Sequence, residues 1–345
     1  MKNRGMYQNR GGWILHVLLV GACVAMTAAT VRAQNPNLGT SGAQFLKIPV
    51  GARAAAMGGA FMGAAGDASA LFWNPAGIVQ LRGGEVFAAH TPWWASTRLS
   101  NAAAAYTIEG VGSFGLSLSL LTMDKMEVTT EVSPEGTGES FDAQDLMIGL
   151  SFARRLTEDF SVGVTAKYVS QRIWNETASG IAFDVGTQYR VGFRDLTLAM
   201  SMTNFGPDMR YNGRDLAVKF NPSSLNAENR LIPAELSAED FPLPLGFQVG
   251  ISMTALEFDG VALLLAIDAT HPNDNKERIN TGAELTVLER LFLRGGYRFG
   301  YDTERATMGA GVAVPVGTSV IRFDYGYATY DLLPNISRFS LSMSF

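Results

Sequence analysis

From about residue 84 to the last residue, apolar and polar positions alternate with a period of two, the pattern of strands with one apolar and one polar face. In "SFGLSLSLL", Phe114, Leu116, Leu118 and Leu120 fall on one face and Ser113, Gly115, Ser117 and Ser119 on the other. "FSVGVTAKY" sets Phe160, Val162, Val164, Ala166 and Tyr168 against Ser161, Gly163, Thr165 and Lys167. The closing "RFSLSMSF" repeats the scheme, with Arg338, Ser340, Ser342 and Ser344 opposite Phe339, Leu341, Met343 and Phe345. Such runs predict strands near 84–91, 98–109, 112–123, 143–156, 160–174, 178–191, 195–204, 244–255, 260–270, 277–288, 290–300, 304–314, 318–329 and 335–345.

The connections sort by length. After every second strand they are short ("GVG", "TED", "GFR", "EFDG", "ER", "PVGT"), whereas the others include "DKMEVTTEVSPEGTGESFD" and the stretch from Gly206 to Leu243. Short turns at one end and long loops at the other define an up-and-down outer-membrane barrel, turns toward the periplasm. The predicted fold is therefore all-β: a transmembrane antiparallel β-barrel of about 14 strands, preceded by a non-alternating N-terminal segment. A lipocalin or β-sandwich also alternates, but turns its apolar face inward around one core. Here the apolar face runs through nearly every strand at the roughly 9–11 residues that cross a bilayer. The opposite face is Gly, Ser, Thr and charge, which suits a polar lumen. Tyr168, Trp174, Tyr189, Tyr297, Tyr301, Tyr325, Tyr327 and Tyr330 near strand ends suit aromatic girdles, though strand propensity alone also favours them.

Composition agrees with a membrane location without helices. Only 17% of residues are charged and 37 are glycine, and no run after the start reaches the roughly 18 apolar residues of a spanning helix. At the start, Lys2, Arg4 and Arg10 precede the apolar stretch Trp13 to Ala22, and Val31-Arg32-Ala33 offers small residues for cleavage before Gln34. Residues 1–33 read as a cleaved secretory signal, the alternatives being an uncleaved anchor or lipid attachment at Cys23. Its removal leaves 23 basic against 32 acidic residues, a balance of −9, and no cysteine. Such a chain has no cause to bind nucleic acid and holds neither a disulfide nor a cysteine metal site.

Candidate chemistry is sparse. The polar face carries opposite charges on neighbouring strands, Lys167 with Asp184, Glu284 with Arg294 and Asp324 with Arg338, read as lumenal pairs that hold register, at roughly 0.2–1 kcal/mol each. "GVGSFG" matches a dinucleotide-binding pattern but leads into a strand rather than a helix, so it is rejected. His90 and His271 stand at strand ends with no ligand cluster beside them. No cofactor or metal is expected, no catalytic residue is assigned, and the protein is expected not to be an enzyme.

Residues 34–83 break the alternation. "GARAAAMGGAFMGAAGDASALFWNPAGIVQL" is apolar, small-residued and interrupted at Asn74-Pro75 and Gly77, so it needs burial in the lumen or against a partner. The block "GARAAAMGGAFMGAAGDASALFWNPAGI" resembles the opening of the PorV/PorQ-like proteins, a branch of the FadL-type outer-membrane barrels in which an Asn-Pro-Ala motif follows an N-terminal hatch. The motif here is Asn74, Pro75 and Ala76, followed by Gly77. The resemblance implies 34–83 as a hatch and 84–345 as the barrel, in the outer membrane of a Gram-negative-type bacterium and in contact with its lipid. It implies two functions. PorV-like members serve type IX protein secretion, so exported proteins with a type IX C-terminal signal, or the translocon, would be partners at loops 125–141 and 206–243. FadL-like members transport hydrophobic small molecules such as long-chain fatty acids, for which Phe61, Leu71, Phe72 and Trp73 would line an apolar path. A passive porin is a third alternative.

Overall fold

The structure, a computed structural model, describes residues 37–220 and 232–345. The expected leader at 1–33 and residues 34–36 of the N-terminal segment lie outside the described residues. In chain order the strands are β1 (Gly84–Pro92), β2 (Thr97–Ile108), β3 (Gly112–Met123), β4 (Met126–Glu127), β5 (Ser140–Phe141), β6 (Ala143–Arg155), β7 (Phe160–Ile173), β8 (Glu176–Val191), β9 (Leu196–Phe205) and β10 (Tyr211–Gly213). They continue with β11 (Ala217–Phe220), β12 (Ile232–Glu235), β13 (Gly246–Phe258), β14 (Val261–Pro272), β15 (Arg278–Val287), β16 (Leu291–Phe299), β17 (Glu304–Val316), β18 (Ser319–Tyr330) and β19 (Ile336–Ser344).

Fourteen of these close into one antiparallel barrel. Neighbours in the chain pair in turn, β1 pairs with β19, and β8 pairs with β9 across the join. The other five are loop strands: β4 pairs with β5, β11 with β12, and β10 extends the sheet beside the start of β8. Among the described residues no helix is long and apolar enough to cross a membrane; the strands do it.

The alternation emerges with its apolar face outward. Leu116, Leu150, Ile181, Ile251, Leu293 and Leu341 are 47% to 66% exposed, whereas Ser113, Ser117, Ser151, Thr165 and Ser201 are buried. This inversion of a soluble core is what a lipid solvent selects. Strand limits follow the sequence pattern to within three residues. The widest departure is the end of β13, where the register shifts between Thr254 and Leu256 and the ladder runs on to Phe258. A bulge there resets the face of each following residue, so the alternation fades before the strand ends.

The long connections gather at one end of the barrel, with the short turns and Phe345 at the other. Residues 37–83 run between the two. Gly39 donates to the Asp274 carbonyl in the loop after β14 and Gly42 to the Pro242 carbonyl, both at the loop end. At the turn end Gly84 and Phe345 exchange backbone hydrogen bonds.

Candidate functional site: the inner segment and the loop-end cavity

The inner segment is a series of short helical turns, Gln44–Lys47, Ala52–Ala56, Ala68–Phe72 and Pro75–Gln80, none long enough to hold itself together. Its stability comes from the wall. Ala52, Ala56, Met57, Phe61, Met62 and Ile78 have no solvent exposure. The Ala52 N–H donates to Ser340 Oγ at 3.0 Å, and Thr307 Oγ1 donates to the Ala56 carbonyl at 2.9 Å. Asp268 of β14 accepts from the Phe61 and Met62 N–H groups at 2.7 and 2.9 Å. Gln188 of β8 donates to the Met62 and Ala65 carbonyls and accepts from Gln80 at 2.8 Å. Backbone groups that a short turn leaves unpaired are thus satisfied by strand side chains.

Asn74 is the clearest of these ties. It is fully buried; its Oδ1 accepts from the Ala76 N–H at 3.1 Å and its Nδ2 donates to the Thr187 carbonyl at 3.0 Å. One side chain therefore caps the turn Pro75–Gln80 and fastens it to β8. Pro75 fills the first turn position, where no N–H is needed. Glycine at 163 and 186 lets the wall come this close, since a Cβ at either would collide with Pro75, Ala76 or Asn74. The motif residues Asn74 to Gly77 are therefore structural, with Gly77 set tightly against the Ala65 carbonyl.

Charge crosses the lumen in one chain. Arg53 of the inner segment grips Glu284 of β15 through Nε and Nη2 at 2.9 and 2.8 Å and reaches Asp67 at 2.9 Å. Arg294 bonds the same Glu284 at 2.5 Å and Asp324 at 2.7 Å. Burial alone would raise the Asp67 carboxyl, but the guanidinium groups of Arg53 and Arg322 outweigh it and hold it below its usual value. Burial likewise opposes the charge on Arg53, and the Glu284 and Asp67 carboxylates prevail, raising its pKa. Of the three expected pairs, Glu284 with Arg294 and Lys167 with Asp184, at 2.6 Å, are present. The third is corrected: Asp324 stands opposite Ser340, two positions along from Arg338, and is taken by Arg294. Arg338 is buried against Trp93 instead, 5.6 Å from its ring centroid.

Lys167 has a second role. Its Nζ also donates to Asn204 Oδ1 at 2.9 Å, while Asp184 accepts from the Asn204 N–H at 2.8 Å. Asn204 sits at the register shift between β8 and β9 with a φ of 61°, so the ion pair seals the bulge from inside.

Above the inner segment, toward the loops, a cavity of about 360 Å³ opens, lined among others by Phe72, Trp73, Trp93, Lys167, Arg278 and Arg298. Two residues of the expected apolar path, Phe72 and Trp73, line it. Phe61 and Leu71 do not: Phe61 is sealed edge-on against Trp73 with ring centroids 5.9 Å apart, and Leu71 is buried against Gly115 of β3. Tyr301 and Tyr330 also line the cavity and so leave the expected girdle. Arg53, Asp67 and Gln188 escaped sequence reading as site residues. The available signal was the rarity of charge in an Ala-Gly stretch, where a lone Arg53 or Asp67 needs a buried partner. His271 pairs with Glu277 at 3.2 Å on the surface, and among the described residues no group of three His, Cys, Asp or Glu side chains could hold a metal.

The fold has solved neighbours. The chain is similar to the Pseudomonas putida toluene transporter TodX, at 12% identity over 86% of this chain and 97% of that one, TM-score 0.52. It is similar also to the CymD monoaromatic hydrocarbon channel, at 14% identity over 86% and 98%, TM-score 0.52. A Pseudomonas aeruginosa FadL homologue matches at 13% identity over 84% and 96%, TM-score 0.50. At these identities the likeness is one of fold alone: a closed β-barrel folded like these proteins. The family model described as type IX secretion system protein PorV matches residues 31–216, from the inner segment through β10. The chain belongs to the PorV family, and family and fold together make it a multi-pass outer-membrane β-barrel. No curated protein matches it.

Proposed function

We propose that this barrel serves type IX protein secretion by binding exported cargo, through its C-terminal signal domain, or the translocon. The observation that carries the reading is the PorV family match over residues 31–216, more than half of the chain. The loop end supplies surface for it: β4 and β5 form one hairpin, β11 and β12 another, and Val132, Phe220, Ile232 and Leu236 are exposed on them or beside them. The role is read as non-catalytic. Purified barrel should capture a type IX C-terminal signal domain, and replacing residues 126–141 by a short Gly-Ser turn should weaken capture. Absence of binding by the intact barrel, together with uptake of a long-chain fatty acid into proteoliposomes, would refute it.

A second reading is FadL-like transport of a hydrophobic small molecule across the outer membrane. It is supported by the loop-end cavity with Phe72, Trp73, Trp93 and Trp94 in its lining, and by neighbours of the same fold described as a toluene transporter and a hydrocarbon channel. The passive porin is opposed by Ala52, Met57, Phe61 and Met62, which occupy the lumen with no solvent exposure.

A further inference from the structure

A second hollow, of about 530 Å³, opens at the loop end beside the first. Gln44, Phe45, Ile48 and Trp93 line both and form the partition between them. The two differ in charge. The first cavity has Lys167, Arg278 and Arg298 in its lining, whereas the second has a single charged side chain, Asp145 of β6, and neither lysine nor arginine. Asp145 is half-buried. Its Oδ1 accepts from Gln171 Nε2 at 3.2 Å, and it makes no ion pair among the described residues. A carboxylate partly withdrawn from water with only a neutral donor beside it favours a cation.

The rest of the hollow is built around that carboxylate. Gln171 of β7 is also held at its other end, since its Oε1 accepts from the Ala43 N–H at 2.9 Å, so the amide that meets Asp145 has a fixed orientation. Met209 and Phe241 exchange backbone hydrogen bonds at 2.9 Å, which pins together two distant parts of the long connection after β9. Gly42 makes room for Phe241, because a Cβ there would stand 2.1 Å from the Phe241 ring. Tyr211 of β10 lies beside Phe241, ring centroids 5.5 Å apart. Burial first, and the Asp145 charge second, raise the Tyr211 phenol above its usual value, which sets the carboxylate within electrostatic reach of that ring. With Phe45 and Leu121 also in the lining, the hollow joins one carboxylate to aromatic and aliphatic walls. An ammonium group is attracted by both, through the opposite charge and through the ring face.

We propose that this hollow binds a small organic ammonium, a protonated amine carried on a single ring or short hydrocarbon body. The ammonium lies on Asp145 beside the Tyr211 ring, and the body lies against Phe45, Leu121 and Phe241. The volume of about 530 Å³ falls within the roughly 300–1,000 Å³ typical of small-molecule sites. The inference goes beyond the secretion reading and stands whether or not that reading holds. It differs from the transport reading in both site and charge, since a neutral hydrocarbon would leave Asp145 without a partner.

The test uses the full barrel purified in a non-ionic detergent, titrated at neutral pH with phenethylammonium and with its neutral isostere 2-phenylethanol. Binding is followed by calorimetry and by tryptophan fluorescence, Trp93 being part of the lining. Phenethylammonium should bind saturably with one-to-one stoichiometry, and the alcohol at least tenfold more weakly. Asp145→Asn keeps an acceptor for Gln171 and, with its barrel checked by heat-modifiable mobility, should narrow that preference to under threefold. Tyr211→Leu should weaken the ammonium at least threefold more than the alcohol. Were Asp145→Asn not to fold, Tyr211→Leu and the comparison of ammonium with alcohol on the native chain still decide. Equal affinity for the two, no saturable binding at millimolar concentration, or either folded variant with unchanged preference would overturn the proposal. So would a lysine-bearing peptide that binds more tightly than phenethylammonium while its acetyl-lysine form does not bind, since the ammonium would then belong to a polypeptide.

Discussion

Replacing Asn74 by alanine removes two hydrogen bonds from a site that water does not reach. The cap on the Ala76 N–H is worth about 1 kcal/mol, and the bond to the Thr187 carbonyl about 1 kcal/mol more by the usual net value for an intramolecular hydrogen bond. The loss falls on the docking of the turn Pro75–Gln80, because the barrel ladders do not pass through Asn74. Local opening of that turn should therefore become about 2 kcal/mol easier, roughly a thirtyfold rise in its opening equilibrium. Native-state hydrogen exchange of the amides from Ala76 to Leu81 measures this directly, while the exchange of β16 and β17 should stay as it is. Asn74→Ser separates the two bonds: serine keeps a capping oxygen but cannot reach Thr187, so it should show about half the free-energy loss, roughly a fivefold rise. Exchange in Asn74→Ala within twofold of the native rate would refute the reasoning. Equal effects of serine and alanine would refute the division into cap and wall bond.

Other outcomes follow from the charged ties. Lys167→Met leaves Asp184 buried without its ammonium partner and should cost about 3–5 kcal/mol in denaturant unfolding from lipid; Lys167→Met with Asp184→Asn, which removes the buried charge and keeps an acceptor for the Asn204 N–H, should recover part of it. At the loop end, burial would raise Asp274, but hydrogen bonds from Lys47 and Gln44 outweigh it and hold the carboxyl below its usual value. A depressed carboxyl stabilises above its unfolded pKa of about 3.9 and ceases to do so as pH falls through the folded value. Protease access to residues 40–48 should thus be low at neutral pH and rise only below about pH 4, and Asp274→Asn should abolish that dependence.

Much of this architecture was legible in the sequence because lipid writes so regular a pattern. Every lipid-facing position must be apolar, so β3, β7 and β19 announce themselves residue by residue. What crosses the lumen leaves no such trace. Arg53 and Glu284 are separated by 231 residues, and no local periodicity encodes their meeting. Pairing charges by adjacent strands found Lys167 with Asp184 but misassigned Arg338, because a register offset of two residues puts Asp324 within reach of Arg294 instead. Tyr301 and Tyr330 misled for a related reason: a position near a strand end fixes a height along the barrel but not the side faced. Phe61 and Leu71 differ from Phe72 and Trp73 only in how the turns fold over them, a matter of tertiary packing.

The join between Gly84 and Phe345 bears on how the molecule is made. The first barrel strand completes its pairing only with the last, and this closure encircles a segment translated before any strand. The inner segment touches β6 to β8 near Asn74 and β14 to β19 through Arg53, Phe61 and Ala52. Docking of this segment and closure of the ring are therefore expected to be coupled, since it holds strands from both halves of the chain. Contacts of such sequence separation are slow to form. Removing residues 37–83 should accordingly lower the yield of closed barrel, read by heat-modifiable mobility on gels, and leave the pairing of the outer hairpins β4–β5 and β11–β12 unaffected.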